Sequence, residues 1–261
     1  MEDNKLFLSV SKVKVFDQCK AKFSFSYIKK LPKKDWEHFI FGKFVHEILE
    51  NFYAKKLSKL MLSDQKLMEF SFNDAKESWK EKITQDNIKE AELIINNFLS
   101  YIKDDCSTVL SIEKEFNINI GNKILLNGFI DKVQTDADGV LNVIDYKTSK
   151  KIKYAKRDFM QLKTYAYVLC LGDESIEKIR GSYIFLRHNC ETVVKEFSRK
   201  DVMTMEGVFL NYLKKIESEK LFRPMPSPLC DYCDYTDICH VGKEYLNNKK
   251  GIQTFGVQEW A

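Results

Sequence analysis

Apolar residues recur every three or four positions over roughly the first hundred residues of the chain. This spacing in FDQCKAKFSFSYI and FGKFVHEILENFY predicts two helices between about Ser9 and Tyr53, separated by Pro32. A lysine-rich stretch from Ala54 to about Ile102 keeps a helical period and contains the amphipathic run AELIINNFLSYI. The N-terminal part of the chain is therefore predicted to be helical.

The period then changes to the alternation that is typical of strands. SIEKEFNINI, KILLNGFIDKV and VLNVIDYKTS predict three strands, joined by the turn sequences GN and DADG. A helix in RDFMQLKTYAYVLCL follows, then strands in IRGSYIFLR and ETVVKEFS, and a helix from about Asp201 to Glu219. This order predicts an α/β (α+β) fold with a mixed, mainly antiparallel central sheet that is flanked by helices.

Composition narrows the classes of protein that this pattern can describe. Of the 261 residues, 44% are hydrophobic and 31% are charged, which suits a packed core. The net charge of +4 permits a nucleic-acid groove without requiring one. We find no secretory signal and no run of about 18 apolar residues, so we expect a cytoplasmic protein, or a viral protein in a host cytoplasm, without membrane contact. No G-x-x-x-x-G-K-[ST] phosphate loop is present, which excludes an ATP-driven motor within this chain.

Two aspartates and a lysine are predicted to converge on neighbouring strands. A hairpin centred on Asp138 pairs residues whose numbers sum to about 276, which places Asp131 beside Asp145. Lys147, two residues further on, projects from the same strand face as Asp145. Tyr146 is predicted to point to the other face.

The neighbours of these charges argue against an ordinary surface ion pair. Asp145 follows Leu141 and Val143 on one strand face. Asp131 follows Phe129 in the same way, so the charges extend rows that the pattern predicts to be apolar. Burial of charges without a function is costly, whereas an exposed Asp-x-Lys pair would be a solvated ion pair. Two converging carboxylates suit Mg²⁺ or Mn²⁺, and a lysine beside them suits the hydrolysis of a phosphodiester.

A cysteine pattern near the C-terminal end indicates a second metal site. Cys230, Cys233 and Cys239 form C-x2-C-x5-C, and without a secretory signal a disulfide framework is a poor explanation for such a pattern. Three thiolates need a fourth ligand. The adjacent His240 would complete a structural Zn²⁺ site, whereas a distant cysteine would complete an iron–sulfur cluster. Three other cysteines lie in apolar or strand-like contexts or near the surface, and we expect them to be plain thiols: Cys106, Cys170 and Cys190.

Together these motifs resemble the PD-(D/E)XK nuclease superfamily, and specifically its RecB-like branch, which includes CRISPR-associated exonucleases with an iron–sulfur cluster and the nuclease domains of AddB. Asp131 in GFIDKV matches the first acid of the motif, and DYK at 145–147 matches its (D/E)XK part, with the proline absent. His46 in GKFVHEILE resembles the branch's Gly-x-x-x-His helix, whose imidazole contributes to the metal site. Gln161 and Tyr165 resemble its Gln-x-x-x-Tyr helix, whose spacing places both side chains on one face as DNA contacts.

The resemblance also suggests two further ligands. Glu113 in SIEKEF resembles an additional metal-binding acid of the branch, although Glu115 lies on the same predicted strand face and fits equally well. Cys19 in SKVKVFDQCKAKFSF resembles the distant cysteine that completes a four-iron four-sulfur (4Fe-4S) cluster with the C-terminal trio.

The resemblance implies one restriction-endonuclease-like nuclease domain over residues 1–261: a helical part at about 1–105, a catalytic core at 106–220, and a cysteine loop and tail at 221–261. The implied function is metal-dependent hydrolysis of DNA by an exonuclease that acts on single strands or frayed ends in recombination, repair or phage replication. A helicase or an integrase would be its partner protein. Two alternatives stay open, an end-trimming nuclease in CRISPR spacer acquisition and a catalytically inactive DNA-end-binding module.

Overall fold

A six-stranded mixed sheet lies at the centre of the computed structural model, which describes residues 5–58, 61–152 and 158–255. β2 pairs antiparallel with β3 along the whole of β3, and β4 pairs antiparallel with the far end of β3. β1 runs parallel to the start of β3, β4 runs parallel to β5, and β5 is antiparallel to β6. The strands are β1 Leu6–Leu8, β2 Thr108–Ile120, β3 Ile124–Thr135, β4 Leu141–Lys147, β5 Lys178–Phe185 and β6 Glu191–Ser198.

Helices cover both faces of this sheet, which confirms the predicted mixed sheet flanked by helices. None of the helices in the described ranges is both long enough and apolar enough to cross a membrane. The helices are α1 Val10–Gln18, α2 Lys20–Phe23, α3 Glu37–Leu57, α4 Asp64–Trp79, α5 Gln85–Ile102, α6 Met160–Gly172, α7 Arg199–Met203, α8 Met205–Ser218 and α9 His240–Phe255.

Alternation along β4 divides the hydrophobic core between the two faces. Val143 packs in a core that includes residues of α1, α6 and α8, of which Leu162 and Phe209 are fully buried members. Ile144 and Tyr146 face a second core that is formed with α3, α4 and α5. The C-terminal end of β4 is thus held between α3 on one side and α6 on the other.

Three local features differ from the predictions. The expectation that Phe129 belongs to an apolar row is wrong: its neighbour Ile130 is buried in the core with α1, α6 and α8, whereas Phe129 is exposed. The predicted helical N-terminal part begins with a strand, β1, which at three residues is too short to show alternation. α6 begins at Met160. Arg157, where the predicted helix starts, lies outside the described residues, and so do the outermost residues of the predicted domain.

Candidate active site

Asp131 and Asp145 are opposed where β4 ends against the middle of β3. The register pairs Lys132 with Ile144, so Asp131 and Asp145 are the next opposed positions, as the turn arithmetic predicts. The backbone N–H of Tyr146 donates a hydrogen bond of 2.8 Å to Asp131 Oδ2. The acid of one strand is therefore fixed against the backbone of the other.

A chain of polar contacts links Asp145 to α6. Lys147 Nζ lies 2.6 Å from Asp145 Oδ2 and donates a hydrogen bond of 2.9 Å to Gln161 Oε1. Gln161 Nε2 in turn donates to the Tyr165 hydroxyl at 2.7 Å. Tyr165 is buried, in contrast to the expected DNA contact, because its ring packs in the core beneath α6. The structure therefore places Gln161 against the lysine and Tyr165 against Gln161.

His46 approaches the same acids from α3. Its Nδ1 lies 3.6 Å from Asp131 Oδ2, and its Nε2 lies 3.0 Å from the carbonyl oxygen of Tyr146. One turn earlier in the helix, a Cβ atom at Gly42 would lie 3.1 Å from Thr148 Oγ1, which is a tight contact. The missing side chain at Gly42 lets α3 lie close to the end of β4. This close approach brings the imidazole to the strands.

The irregular backbone of β2 distinguishes Glu113 from Glu115. The pairs on either side of Glu113 are Ile112 with Lys132 and Lys114 with Ile130, so Glu113 opposes Asp131 across the ladder. Its φ of 39° lies in the left-handed region, which is unusual for a residue other than glycine and interrupts the alternation. Glu115 is exposed and accepts a hydrogen bond from Asn117. Glu113 is therefore the acid that reaches the site.

Three side chains form a candidate divalent-metal site. One ligand atom each from His46, Glu113 and Asp131 lies within 4.8 Å of the other two. Glu50, one helical turn beyond His46, lines the same small cavity. Sequence reasoning missed Glu50, although the spacing of four residues from His46 was an available signal. Two carboxylates and an imidazole are ligand types that divalent metals accept in proteins.

The electrostatics of the site also fit a bound cation. Burial, followed by the negative charge of Asp131, raises the pKa of Glu113 to about 7. Burial, followed by the charge of Asp145, raises the pKa of Asp131 well above its usual range, against the opposing effects of the Tyr146 N–H and Lys147. Within the described residues, no donor makes a well-formed hydrogen bond to the buried Asp145 Oδ2, despite the contact with Lys147. A divalent cation would offset this concentration of negative charge.

The four cysteines of the predicted cluster meet at a cavity between the N-terminal helices and the cysteine loop. Three of the four sulfurs accept N–H donors from the C-terminal segment: Met225 to Cys19 at 3.4 Å, Ser227 to Cys230 at 3.5 Å and Gly242 to Cys239 at 3.4 Å. Among the described cysteines, no three have their sulfurs within 4.8 Å of one another. These sulfurs are therefore more widely spaced than the ligand atoms of the acidic site. The cavity is lined by Cys19, Cys230, Cys233 and Cys239 among others.

His240 lies apart from this cavity. Its side chain is 92% exposed, and its Nδ1 is 4.0 Å from Glu244 Oε2 in the next turn of α9. The described residues that line the cysteine cavity do not include it. Of the remaining cysteines, Cys170 and Cys190 are buried and Cys106 is exposed, and none of them lines this cavity.

Comparison with curated proteins gives partial matches to one component of a helicase/deoxyribonuclease. An ATP-dependent helicase/deoxyribonuclease subunit from Streptococcus pyogenes serotype M3 is 28% identical over 155 residues, which make up 55% of this chain and 14% of that protein. The corresponding protein of serotype M12 is 27% identical over a stretch of equal length. The chain therefore matches only a small part of these relatives.

Solved structures and family models extend the comparison to most of the chain. A crystal structure from Eubacterium rectale, of a protein named provisionally as an exonuclease, covers 89% of this chain with a TM-score of 0.55 and 15% identity, and 88% of that chain is covered. At this identity the likeness shows the fold alone. The family model described as the PD-(D/E)XK nuclease superfamily matches residues 7–240. That match includes both acid-bearing strands, the helix with His46 and the cysteine loop, and the chain belongs to the PD-(D/E)XK nuclease superfamily.

Proposed function

We propose that this protein is a divalent-metal-dependent nuclease that hydrolyses phosphodiester bonds in DNA. The observation that carries the proposal is the candidate metal site of His46, Glu113 and Asp131 beside the Asp145–Lys147 pair. Bound Mg²⁺ or Mn²⁺ would neutralise phosphate charge and lower the pKa of a water molecule. In this proposal Asp145 joins the three ligands in holding the metal.

Lys147 and α6 have separate roles in this proposal. The Lys147 ammonium orients the attacking water and stabilises the negative charge that grows on the phosphate oxygens. Gln161 holds Lys147 by its amide oxygen, and Tyr165 holds Gln161 by accepting its amide N–H. Gln161 and Tyr165 thus act as positioning residues, while Lys147 faces the reacting atoms.

The relatives support a more specific substrate and role. The similarity to part of a helicase/deoxyribonuclease and the fold shared with a provisionally named exonuclease favour exonuclease action on single-stranded or frayed DNA ends. We propose a role in recombination, repair or phage replication, with unwinding supplied by a helicase partner, because this chain carries no phosphate loop.

Digestion of oligonucleotides labelled at the 5′ or the 3′ end tests this function. We expect cleavage of single strands that requires added Mg²⁺ or Mn²⁺, and a loss of about a hundredfold or more for Asp145→Asn and Lys147→Ala. Lys178→Ala is the matched control, because Lys178 is also a strand lysine paired with a carboxylate, Glu196, but at the surface of β5. Binding of DNA ends with no cleavage in either metal would instead indicate an inactive end-binding module. Cleavage by Lys147→Ala at the parental rate would refute the active-site assignment.

We also propose that Cys19, Cys230, Cys233 and Cys239 hold a 4Fe-4S cluster. Their common cavity and the backbone N–H groups that reach three of the sulfurs support this proposal, since such donors stabilise cluster thiolates. The exposed imidazole of His240, which is not among the described residues that line this cavity, argues against the local zinc alternative. The cluster would join the helical part of the domain to the cysteine loop.

A further inference from the structure

A groove lined partly by α3 connects the candidate metal site to a group of aromatic rings on the surface. His46, Glu50 and Glu113 lie at its inner end, and Trp36, His38 and Phe39 lie along it. The His38 ring centroid is 4.3 Å from that of Phe39, 5.9 Å from that of Trp36 and 6.2 Å from that of Tyr232. We call these four rings the aromatic cluster: Trp36, His38, Phe39 and Tyr232.

The exposure of this cluster sets it apart from the core aromatics. The side chains of Phe39 and Tyr232 are each 58% exposed, and His38 is also exposed. Several large rings that lie together at the surface keep apolar area in water, which is common at interaction sites. Trp36 is half-buried beneath them and links the cluster to the rest of the fold.

The cysteine loop fixes the position of the cluster. Trp36 Nε1 donates a hydrogen bond of 2.7 Å to Asp234 Oδ1, and the backbone N–H of Lys34 donates to the same oxygen at 3.3 Å. Lys34 Nζ lies 2.5 Å from Asp237 in the same loop. Tyr232 also belongs to the cysteine loop, whereas the other three rings lie at residues 36–39, and its ring centroid is 6.3 Å from that of Trp36. The aromatic surface is thus preorganised before any ligand arrives.

Most acids along the groove accept hydrogen bonds or lie beside the candidate metal site, whereas lysines along it are exposed. Two acids of the groove already accept hydrogen bonds: Glu47 from Trp79 Nε1 at 2.6 Å, and Asp234 from Trp36 Nε1 at 2.7 Å. Glu50 and Glu113 lie beside the candidate metal site, where a divalent cation would offset their charge. Exposed lysines along the groove can contact a phosphate backbone: Lys33, Lys43 and Lys82.

We propose that this groove binds the end of a single-stranded polynucleotide and leads it to the metal site. Unpaired bases stack on Phe39, His38 and Tyr232, and lysines contact the backbone. The bases of a duplex are stacked on one another and offer no free face to these rings, so the cluster favours single strands. The metal site as the strand's destination rests on the nuclease function proposed above, whereas binding in the groove requires no hydrolysis.

Binding measured without divalent cations tests the groove by itself. The probe is a fluorescein-labelled oligothymidylate, followed by anisotropy, with a labelled duplex for comparison. We expect Phe39→Ala and Tyr232→Ala each to weaken binding of the single strand about fivefold or more. Phe39 lines the groove, and Tyr232 contacts the lining rings of Trp36 and His38. The control is Phe70→Ala, because Phe70 is 41% exposed on α4 and lies 5.1 Å from a lysine ammonium, that of Lys66, but among the described residues it neither lines the groove nor contacts a ring of the aromatic cluster. Phe70→Ala should bind like the parent.

Hydrolysis of a small diester, bis(p-nitrophenyl) phosphate, separates failure of the groove from failure of the nuclease function. This substrate needs the metal site but offers no strand to the groove, so Phe39→Ala should hydrolyse it at the parental rate while losing kcat/KM on the oligonucleotide. Ring-dependent binding without hydrolysis of either substrate would leave the groove intact and refute the nuclease function. Parental binding by both ring variants, or stronger binding of the duplex, would overturn the groove proposal even if cleavage is normal.

Discussion

Replacement of Glu113 by glutamine should stabilise the metal-free protein. The carboxyl group of Glu113 is partly buried against Asp131, and together these effects raise its pKa to about 7. Above that pH Glu113 carries a negative charge that is partly buried beside Asp131 in the native state but is solvated in the unfolded chain. An amide of nearly the same shape removes this charge without leaving a cavity.

The sign and size of the effect follow from the two pKa values. The pKa of Glu113 rises from 4.5 to about 7, so between these pH values the folded state binds more protons than the unfolded state, and stability falls as pH increases. Each pKa unit corresponds to about 1.4 kcal/mol, or roughly 3 kcal/mol for the whole shift. Because the side chain is only half-buried, we expect about 1–2 kcal/mol after discounting for solvent screening. For a chain of this length, that corresponds to a Tm about 2–8 °C higher at pH 8.

Thermal unfolding at pH 5 and pH 8, with and without Mg²⁺ or Mn²⁺, checks this expectation. Glu115→Gln is the matched control, since Glu115 is two residues away on the same strand but exposed. Without metal, Glu113→Gln should melt higher than both the parent and Glu115→Gln at pH 8, and close to both at pH 5. Added metal should raise the Tm of the parent by more than that of Glu113→Gln. A lower metal-free Tm for Glu113→Gln at pH 8 would refute the assignment of Glu113 to a site of crowded carboxylates.

Three other substitutions test separate parts of the structure. Gly42→Ala should lower DNA cleavage about tenfold, because the added Cβ atom pushes α3 away from β4. The control Gly207→Ala, which has nothing within 4 Å of the added atom, should leave cleavage unchanged and stabilise α8 by about 0.5–1 kcal/mol. Equal cleavage by both variants would contradict the tight approach of α3 to β4. Tyr165→Phe should lower kcat and leave the calorimetric metal affinity unchanged, and a large loss of affinity would contradict its positioning role. Cys19→Ser should lose the iron and sulfide expected at about four atoms each per chain, while Cys106→Ser keeps them; a protein with one zinc that survives Cys19→Ser would rule out the cluster.

The central acids could be predicted because a short turn determines their register. The DADG turn and the alternation on either side of it are local features, and they were enough to oppose Asp131 and Asp145. The lysine followed from the two-residue period of a strand. These parts of the site depend on contacts between residues that are close in the chain.

The remaining parts depend on backbone irregularity or on distant contacts. Simple alternation places Glu113 and Glu115 on one face, and only the left-handed φ of Glu113 separates them. The hydrogen bond between Trp36 and Asp234 joins residues 198 positions apart, and no local pattern indicates such a partner. Phe129 was misplaced because alternation predicts which residues share a face but not how deeply each of them is buried, and Phe129 is exposed whereas Ile130 is buried.

The long-range contact between Trp36 and Asp234 has a consequence for the order in which the protein is made. The residues proposed for chemistry, from His46 to Tyr165, leave the ribosome well before Asp234, which follows Tyr165 by about 70 residues, or roughly 4–14 s of synthesis. The acid-bearing hairpin and α6 can therefore assemble while Trp36 still lacks its hydrogen-bond acceptor. During translation, the residues proposed for catalysis would therefore be able to meet before the aromatic cluster proposed to bind a strand is complete.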